Sequence, residues 1–236
     1  MQRYINKILP KIIWYTMKND KVYTDIKNKI IDEEFRPGQW IVERELCNEY
    51  GISRTPLREA LQRLVSEGFL SLQRSKGYLV KKLSIEEIIK IFQAREAVEC
   101  MLSRLACHNG ADDFIAQLKE LEEEMEIIDI EQNSENGTVI GSKLHSLIAE
   151  TASNPILYGY FQKLKDLSAL TRNISKRSVE VEKKSKDEHI ELIRALIDRD
   201  ENSSEICMRN HLRGTCQRLV ETFISDLKGE MKYLTR

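Results

Sequence analysis

The sequence predicts a mainly α-helical protein in which three short helices and one β-hairpin precede a bundle of longer helices. Two observations lead to this prediction. Apolar residues recur every three or four positions along most of the 236-residue chain, which is typical of amphipathic helices. A turn-rich stretch near residue 75 is flanked by two short apolar runs and predicts the hairpin. The chain therefore divides into a small N-terminal segment of mixed structure and a larger helical segment.

The N-terminal segment contains three short helical patterns, each ended by a glycine or a proline–glycine pair. They run from Val22 to Pro37-Gly38, from Glu43 to Gly51 and from Ser53 to Gly68. Apolar runs at residues 69–73 and 78–80 then flank a turn that ends at Gly77. This order of helix, helix, turn, helix and hairpin predicts a winged helix-turn-helix domain over residues 17–82.

The third helix has an apolar side and a polar side. The apolar side is formed by Leu57, Ala60, Leu61 and Leu64. Thr55 and Arg58 lie on the opposite half, with Arg54 at the boundary near the helix start. A helix in the major groove contacts bases mainly through its N-terminal residues, and arginine can hold guanine bidentately. Ser53, the predicted N-cap, can donate to a phosphate. An exposed face with ordinary charges is the alternative, and the surrounding elements disfavour it.

Three positions outside this helix are further candidates for DNA contacts. Arg44 opens the second helix, where a cation can reach the backbone of a duplex. Arg74 lies with Lys76 at the tip of the hairpin, and Gly77 supplies the tight bend that a wing requires. Each of these cations is equally compatible with an ordinary solvated surface.

Charge is unevenly distributed along the chain, although the formal net charge is only −1. Residues 1–83 contain 16 Lys and Arg against 10 Asp and Glu, a balance of +6. The remaining residues contain 21 and 28, a balance of −7. This asymmetry indicates that only the first part of the chain meets a polyanion.

The motifs of the N-terminal segment resemble those of the GntR family of bacterial regulators. The resemblance covers residues 22–82 and rests on Pro37-Gly38, Glu43-Arg44-Glu45-Leu46, Gly51-Ile52-Ser53-Arg54-Thr55-Pro56-Leu57-Arg58-Glu59-Ala60-Leu61, Glu67-Gly68-Phe69-Leu70 and Gly77. It implies that Arg44, Ser53, Arg54, Thr55 and Arg58 fall where the family contacts its operator. It also implies that the protein binds palindromic double-stranded DNA as a homodimer.

Residues 84–230 are expected to form a second, helical domain. Ser84-Ile85-Glu86-Glu87 is a capping box that begins its first helix. Further helices are predicted at residues 111–132, 138–151, 156 onward, 180–199 and 201–228, with a loop at 133–137. These lengths and spacings predict a helical bundle with short connections.

Two kinds of polar side chain are predicted to point into this bundle. Arg95 lies within the apolar stripe of the first helix, and a buried guanidinium needs an anion. That anion is either an internal glutamate or the carboxylate of a bound metabolite. His145, His189 and His211 lie on inward faces of three other helices. One inward histidine is most often a satisfied core residue, but three can form a trigonal face for Zn²⁺ or a similar ion.

This second segment resembles the FCD-type effector domain of one branch of the GntR family. The looser resemblance, over residues 84–228, rests on Arg95 to Glu99, Lys143-Leu144-His145, Ser153-Asn154-Pro155, Glu188-His189-Ile190-Glu191-Leu192-Ile193-Arg194-Ala195-Leu196 and Met208-Arg209-Asn210-His211-Leu212. It implies an all-α antiparallel bundle of six or seven helices around a ligand pocket. In many members a divalent metal, bound by one Asp and three His, helps to bind a small carboxylate.

The chain departs from that pattern at one position, because Gly141 stands where the family has its Asp. Two alternatives follow. His145, His189 and His211 hold a divalent ion such as Zn²⁺ or Ni²⁺ without the carboxylate, or a metal-free pocket binds its effector through Arg95 and neutral histidines. We predict three-histidine coordination, with Arg95 binding the effector.

Three functions compete for these features. The first is a transcription regulator, a repressor, whose operator binding responds to a small carboxylate in the bundle. The second is an enzyme in which the histidines activate water, and the third is a bundle that only dimerises. No carboxylate occupies an identifiable general-base position, so we expect a regulator and no enzyme.

The composition and the termini favour a cytoplasmic protein. No stretch approaches the roughly 18 to 20 apolar residues of a membrane-spanning helix. The five cysteines lack paired CxxC spacing, which fits reduced thiols, and no secretory signal is recognisable. Residues 1–16 are either a short extra helix or the result of a start site placed too early.

Overall fold

The structure is a computed structural model, and it describes residues 20–171 and 179–234 of the chain. Two compact units are present, one ending at Lys82 and the other beginning at Leu83. The predicted extension at residues 1–16 lies outside the described residues.

The N-terminal unit consists of three helices and a small antiparallel sheet. Its elements are α1 (residues 20–31), β1 (Trp40–Ile41), α2 (Glu43–Tyr50), α3 (Arg54–Ser66), β2 (Leu70–Gln73) and β3 (Gly77–Val80). The sheet has the order β1-β3-β2, with Trp40 opposite Leu79 and Leu70 opposite Val80. The sequence did not predict β1, since two residues are too few for an alternating pattern to be recognised.

The core of this unit is the apolar side of α3 packed against α1 and the sheet. The side chains of Ile26, Leu57, Leu61 and Phe69 are completely buried. Helix α2 ends where Gly51 adopts φ +59°, a left-handed conformation that glycine tolerates, and its N–H donates to the Cys47 carbonyl. Packing of α3 on this core fixes which of its faces remains exposed.

The C-terminal unit contains six helices in the described part of the chain. They are α4 (Ile85–Asn109), α5 (Asp112–Ile127), α6 (Ser134–Thr151), α7 (Pro155–Ala169), α8 (Val179–Ile197) and α9 (Glu201–Leu234). Helix α4 packs against α6, α7, α8 and α9, so it lies at the centre of the bundle. Its capping box forms as predicted, because Ser84 Oγ accepts from the Glu87 N–H and the Glu87 carboxylate accepts from the Ser84 N–H. The mainly α fold, with a winged helix-turn-helix before a helical bundle, is confirmed.

The boundary between α5 and α6 differs from the sequence prediction. Helix α5 ends at Ile127, five residues early, because the Asp129 side chain accepts from the Glu131 N–H and forms a local turn. Residues 134–137, predicted as a loop, are the first turn of α6, capped by Asn133, whose side chain accepts from the Asn136 N–H.

Gly137 explains why the loop prediction was wrong. A Cβ atom at this glycine would lie 2.6 Å from Cδ1 of Ile130, which is buried. The glycine therefore permits close packing and does not break the helix. At the other end of the unit, α9 continues to Leu234, six residues beyond its predicted end at residue 228.

Candidate functional site

Helix α3 presents a polar ridge on the side opposite its buried leucines. Arg54, Thr55 and Arg58 are exposed, while Leu57 and Leu61 are fully buried. Ser53 is the N-cap residue, as predicted, but its side chain makes no capping hydrogen bond. The first turn of α3 therefore has N–H groups that its own cap does not satisfy, which is a suitable environment for a phosphate.

Arg58 does not lie free on this ridge. Its Nε donates to Oε2 of Glu43 on α2 at 2.8 Å, while 57% of the Arg58 side chain remains exposed. An exposed pair of this kind contributes little to stability. The arginine is therefore kept in place at low cost and can exchange Glu43 for another acceptor.

The remaining candidates for DNA contacts lie on α2 and on the β2–β3 hairpin. Arg44 is exposed on α2, and Arg74 and Lys76 are exposed in the turn between the strands. Gly77 has φ +96°, and a Cβ atom there would meet nothing within 4 Å. The backbone conformation, and not lack of space, therefore requires glycine at the tip of the wing.

The three predicted histidines meet inside the C-terminal unit. His145 on α6, His189 on α8 and His211 on α9 are all buried, and their ring centroids lie 4.2–5.3 Å apart. One ring nitrogen from each falls within 4.8 Å of the others. We call these three residues the histidine centre.

A hydrogen-bonded series of an arginine, a glutamate and a histidine connects α4 to the histidine centre. Arg95 Nε donates to Oε1 of the buried Glu99 at 2.7 Å. Nδ1 of His145 lies 2.5 Å from Oε2 of the same carboxylate. Burial alone would raise the pKa of Glu99, but Arg95 and His145 hold this pKa at about 2. Of the two anions considered for Arg95, the structure contains the internal glutamate.

A second hydrogen-bonded series of the same kind is formed by residues of α8 and α9. Arg218 donates to both oxygens of Glu188, at 2.8 and 2.7 Å, and Nδ1 of His211 lies 3.0 Å from Oε2. Burial opposes ionisation of Glu188, but His211 and Arg218 lower its pKa. A Cβ atom at Gly214 would lie 2.9 Å from Nη1 of Arg218 and 3.0 Å from Oε1 of Glu188. Gly214 therefore makes room for this bidentate pair.

The two glutamates fix which nitrogen of each histidine faces the centre. An ionised carboxylate only accepts, so His145 and His211 donate to it from Nδ1 and their Nε2 atoms remain available. Nε2 of His145 lies 3.2 Å from Nε2 of His189. Burial lowers the pKa of His211 to about 4 and that of His189 well below 6.5, so both are neutral near pH 7. Neutral imidazole is the form that binds a metal ion.

Gly141 lies directly beside this centre. A Cβ atom at position 141 would be 2.6 Å from Cε1 and 3.1 Å from Nδ1 of His189. The His189 ring therefore occupies the space into which any side chain at this position would project. The position of the His189 ring therefore requires glycine at position 141 and excludes an Asp side chain there.

The histidine centre lines a cavity of about 120 Å³. Its other lining residues include Arg95, Thr138, Gly141, Ser142 and Lys165. An open groove of about 570 Å³ along α5, α6 and α7 shares Thr138, Ser142 and Lys165 with this cavity but none of the histidines. The shared residues therefore form the mouth, and the histidine centre lies deeper.

Sequence reasoning found the three histidines and Arg95 but missed four residues of the site. Glu188 and Glu99 lie within motifs that resemble the FCD domain, but the sequence did not predict which side chains they contact. The spacing of four between Arg95 and Glu99 was an available signal, because such pairs are neighbours on a helix. Arg218 and Lys165 carried no comparable signal in the sequence.

The winged helix-turn-helix, followed by a helical bundle with a polar cavity, defines a DNA-binding regulator. Two family models match the chain, that of the gntR family of bacterial regulatory proteins at residues 18–80 and that of the FCD domain at residues 90–214. The chain therefore belongs to the GntR family of bacterial transcription regulators and carries an FCD domain. The family predicted from the motifs is confirmed, and it is not a class of enzymes.

Two relatives match about four-fifths of the chain. It is 32% identical over 198 residues to the HTH-type transcriptional repressor GlaR of Escherichia coli (strain K12), covering 80% of this chain and 90% of that protein. It is 29% identical to the Nta operon transcriptional regulator of Aminobacter aminovorans, covering 81% and 89%. These relatives regulate transcription.

Two solved structures share the fold of the chain at low sequence identity. E. coli McbR/YncC matches with a TM-score of 0.70 and 22% identity over 87% of this chain and 98% of that one. A GntR regulator from Rhodococcus sp. RHA1 matches with a TM-score of 0.70, 19% identity and the same coverage. Within residues 20–171 and 179–234, no helix is both long and apolar enough to cross a membrane.

Proposed function

We propose that the protein is a cytoplasmic, homodimeric transcription repressor whose binding to a palindromic operator is controlled by a small carboxylate. The buried histidine centre and its cavity are the observation that carries this proposal. Burying imidazoles, carboxylates and guanidinium groups in a bundle is costly unless they are paired or used. A unit that served only for dimerisation would need no such cavity, so its polar lining supports ligand sensing.

The DNA-binding face in this proposal is the polar ridge of α3. Arg54, Thr55 and Arg58 contact base edges, and Ser53 with the first turn of α3 holds a phosphate. The supporting contacts to the backbone and the minor groove come from Arg44 on α2 and from Arg74 and Gly77 in the wing. The exposure of the cations, and the positive φ of the glycine, support this assignment.

The histidine centre fits a divalent ion such as Zn²⁺ or Ni²⁺. Two nitrogens that bind one zinc ion at about 2.0–2.1 Å in a tetrahedral arrangement lie about 3.3 Å apart. The observed separation of 3.2 Å between the Nε2 atoms of His145 and His189 is close to this value. His145, His189 and His211 would be the ligands, and a bound ion would supply a Lewis acid that attracts a carboxylate.

Glu99 and Glu188 take the supporting role in this site. Carboxylates that accept from the second nitrogen of a metal-binding histidine fix its tautomer and increase its basicity. Their negative charges also replace, outside the ligand set, the charge lost with the family's Asp at position 141. Arg95 remains beside the cavity to contact an effector carboxylate, with Glu99 balancing its charge.

Operator binding can be tested without knowing the operator. Selection of random DNA duplexes on the full-length protein should enrich an inverted repeat, and sedimentation should give a dimer. Small carboxylates are then screened for their effect on the affinity for that duplex, measured by fluorescence anisotropy. Failure to enrich any sequence would refute the DNA-binding role, and an affinity that no carboxylate alters would refute the sensing role.

The metal site is tested by titration of chelator-treated protein with Zn²⁺ and Ni²⁺. We expect one ion per chain, and we expect His189→Gln to abolish binding. His108→Gln is the matched control, because this histidine is exposed on α4 and lies outside the centre. If wild-type protein takes up neither ion, the metal-free pocket is the correct alternative.

A further inference from the structure

Lys165 occupies an unusual position at the mouth of the cavity. It lies on α7 and lines both the outer groove and the cavity that contains the histidine centre. The Nζ atom donates to Oγ of Ser146 at 2.8 Å, and this hydroxyl donates in turn to the carbonyl of Ser142, also at 2.8 Å. The hydroxyl proton is thus used, and only its lone pairs face the ammonium group.

The two arginines that approach the histidine centre differ from Lys165, because each is paired with a carboxylate. Arg95 is paired with Glu99, and Arg218 with Glu188. Among the described residues, no carboxylate lies within ion-pairing distance of Lys165, whose one hydrogen-bond acceptor is the neutral Ser146. The Nζ atom also lies 6.0 Å from the centroid of the Phe161 ring. A partly buried ammonium whose partners are all neutral is an incomplete arrangement, because charge-assisted bonds to carboxylates are much stronger.

The lining of the cavity contains two separate groups that attract anions and one buried carboxylate, Glu182, which has an interaction partner of its own. At the inner end lie the histidine centre and Arg95, and at the mouth lies Lys165. The cavity has a volume of about 120 Å³, which limits a bound ligand to a small molecule. A small acid fills it, and a second acidic group of the same molecule would emerge beside Lys165.

We propose that Lys165 binds a carboxylate of the effector, and that the effector class is small dicarboxylates. One carboxylate binds at the histidine centre, and the other replaces the weak partner of Lys165. This inference rests on the proposed carboxylate-sensing function and specifies its ligand. A charge-assisted hydrogen bond of this kind should favour a dicarboxylate over a monocarboxylate of equal length by about tenfold or more.

The test compares two series of acids on the full-length protein. Straight-chain dicarboxylates of three to six carbons and monocarboxylates of the same lengths are titrated by calorimetry, with and without Zn²⁺. We expect the wild-type protein to prefer a dicarboxylate. Lys165→Met should remove this preference and leave monocarboxylate affinity unchanged, while Lys165→Arg should retain most of it. Lys163→Met is the matched control, because Lys163 is exposed on the same helix.

The outcomes separate this inference from the proposed function. If acids bind but Lys165→Met keeps the preference, or if the wild-type protein prefers monocarboxylates, the assignment of Lys165 is wrong and carboxylate sensing stands. If no acid of either series binds to the wild-type protein, carboxylate sensing falls and the assignment of Lys165 falls with it. Retained Zn²⁺ binding by Lys165→Met would show that the variant is folded.

Discussion

Arg58 on the recognition helix α3 is hydrogen-bonded to Glu43 on α2, with 2.8 Å between Nε and Oε2. The pair joins the residue expected to read bases to an acidic side chain on the neighbouring helix. If α3 binds DNA as proposed, an approaching phosphate would meet this carboxylate as well as the arginine. Glu43 therefore both positions Arg58 and opposes the polyanion that Arg58 is expected to bind.

The first prediction concerns the effect of the Glu43 carboxylate on the affinity for DNA. Glu43→Gln should raise the affinity for DNA severalfold at low salt, because it removes a negative charge near the phosphates and releases Arg58. Anisotropy titrations over a range of salt concentrations measure the effect. Glu45→Gln removes the same charge from an exposed position on α2 and should change the affinity less. Equal effects of the two substitutions would contradict a specific role for the pair.

The second prediction concerns the space beside His189. Gly141→Ala should lower the affinity for Zn²⁺ and the melting temperature, because its Cβ would lie 2.6 Å from Cε1 of His189 and the ring must move. Gly159→Ala on α7 is the control, since a Cβ there meets nothing within 4 Å. That control should stabilise the protein by about 0.5–1 kcal/mol. A Gly141→Ala protein with unchanged zinc affinity would contradict the close fit.

The third prediction concerns the hydrogen-bonded series from Arg218 through Glu188 to His211. Glu188→Gln should weaken Zn²⁺ binding by about 10- to 100-fold, because the amide no longer fixes the tautomer of His211 as a carboxylate does. Calorimetric titration measures this affinity. Glu191→Gln on the exposed side of the same helix should leave it unchanged. Similar affinities for both variants would show that Glu188 has no role in positioning.

The fourth prediction concerns the stability of metal-free protein in acid. Burial holds the pKa of His211 at about 4 and that of His189 well below 6.5. Between about pH 4 and 6.5 the unfolded chain therefore binds more protons than the folded protein does. Stability should therefore be fully present above pH 6.5 and decline as the pH falls towards 4. Glu99, whose pKa is about 2, stays ionised over this window. Urea unfolding at a series of pH values tests the trend.

A matched variant identifies the histidines responsible for that trend. His108→Gln removes an exposed histidine and should give the same pH profile as the wild-type protein. His211→Gln removes a buried one and should flatten the profile between pH 4 and 6.5. A wild-type profile that is flat over this range would contradict the low pKa values.

Local patterns in the sequence predicted much of the fold. The limits of α2 and the burial of Leu57 and Leu61 follow from periodicity and from end signals a few residues away. The α5–α6 boundary could not be predicted in this way. There, the role of Gly137 depends on contact with Ile130, and a glycine that allows packing looks like one that breaks a helix.

The candidate site was also predictable only in part, because several of its contacts join residues that are far apart in the sequence. His145, His189 and His211 could be placed on inward faces of separate helices, which made their meeting conceivable. The pairing of Glu99 with His145 joins residues 46 positions apart, and Arg218 reaches Glu188 across 30 positions. Such contacts depend on how helices pack, and no local pattern encodes them.

The continuity of α4 has a mechanical consequence. Arg95 and Glu99 lie on the helix that begins at Ile85, and only Leu83 and Ser84 separate this helix from Lys82, the last residue of the N-terminal unit. At about 1.5 Å per residue, roughly 16 Å of uninterrupted helix separates Ser84 from Arg95. An effector that contacts Arg95, as proposed, would therefore act on the same uninterrupted helix whose first residues follow the N-terminal unit in the sequence.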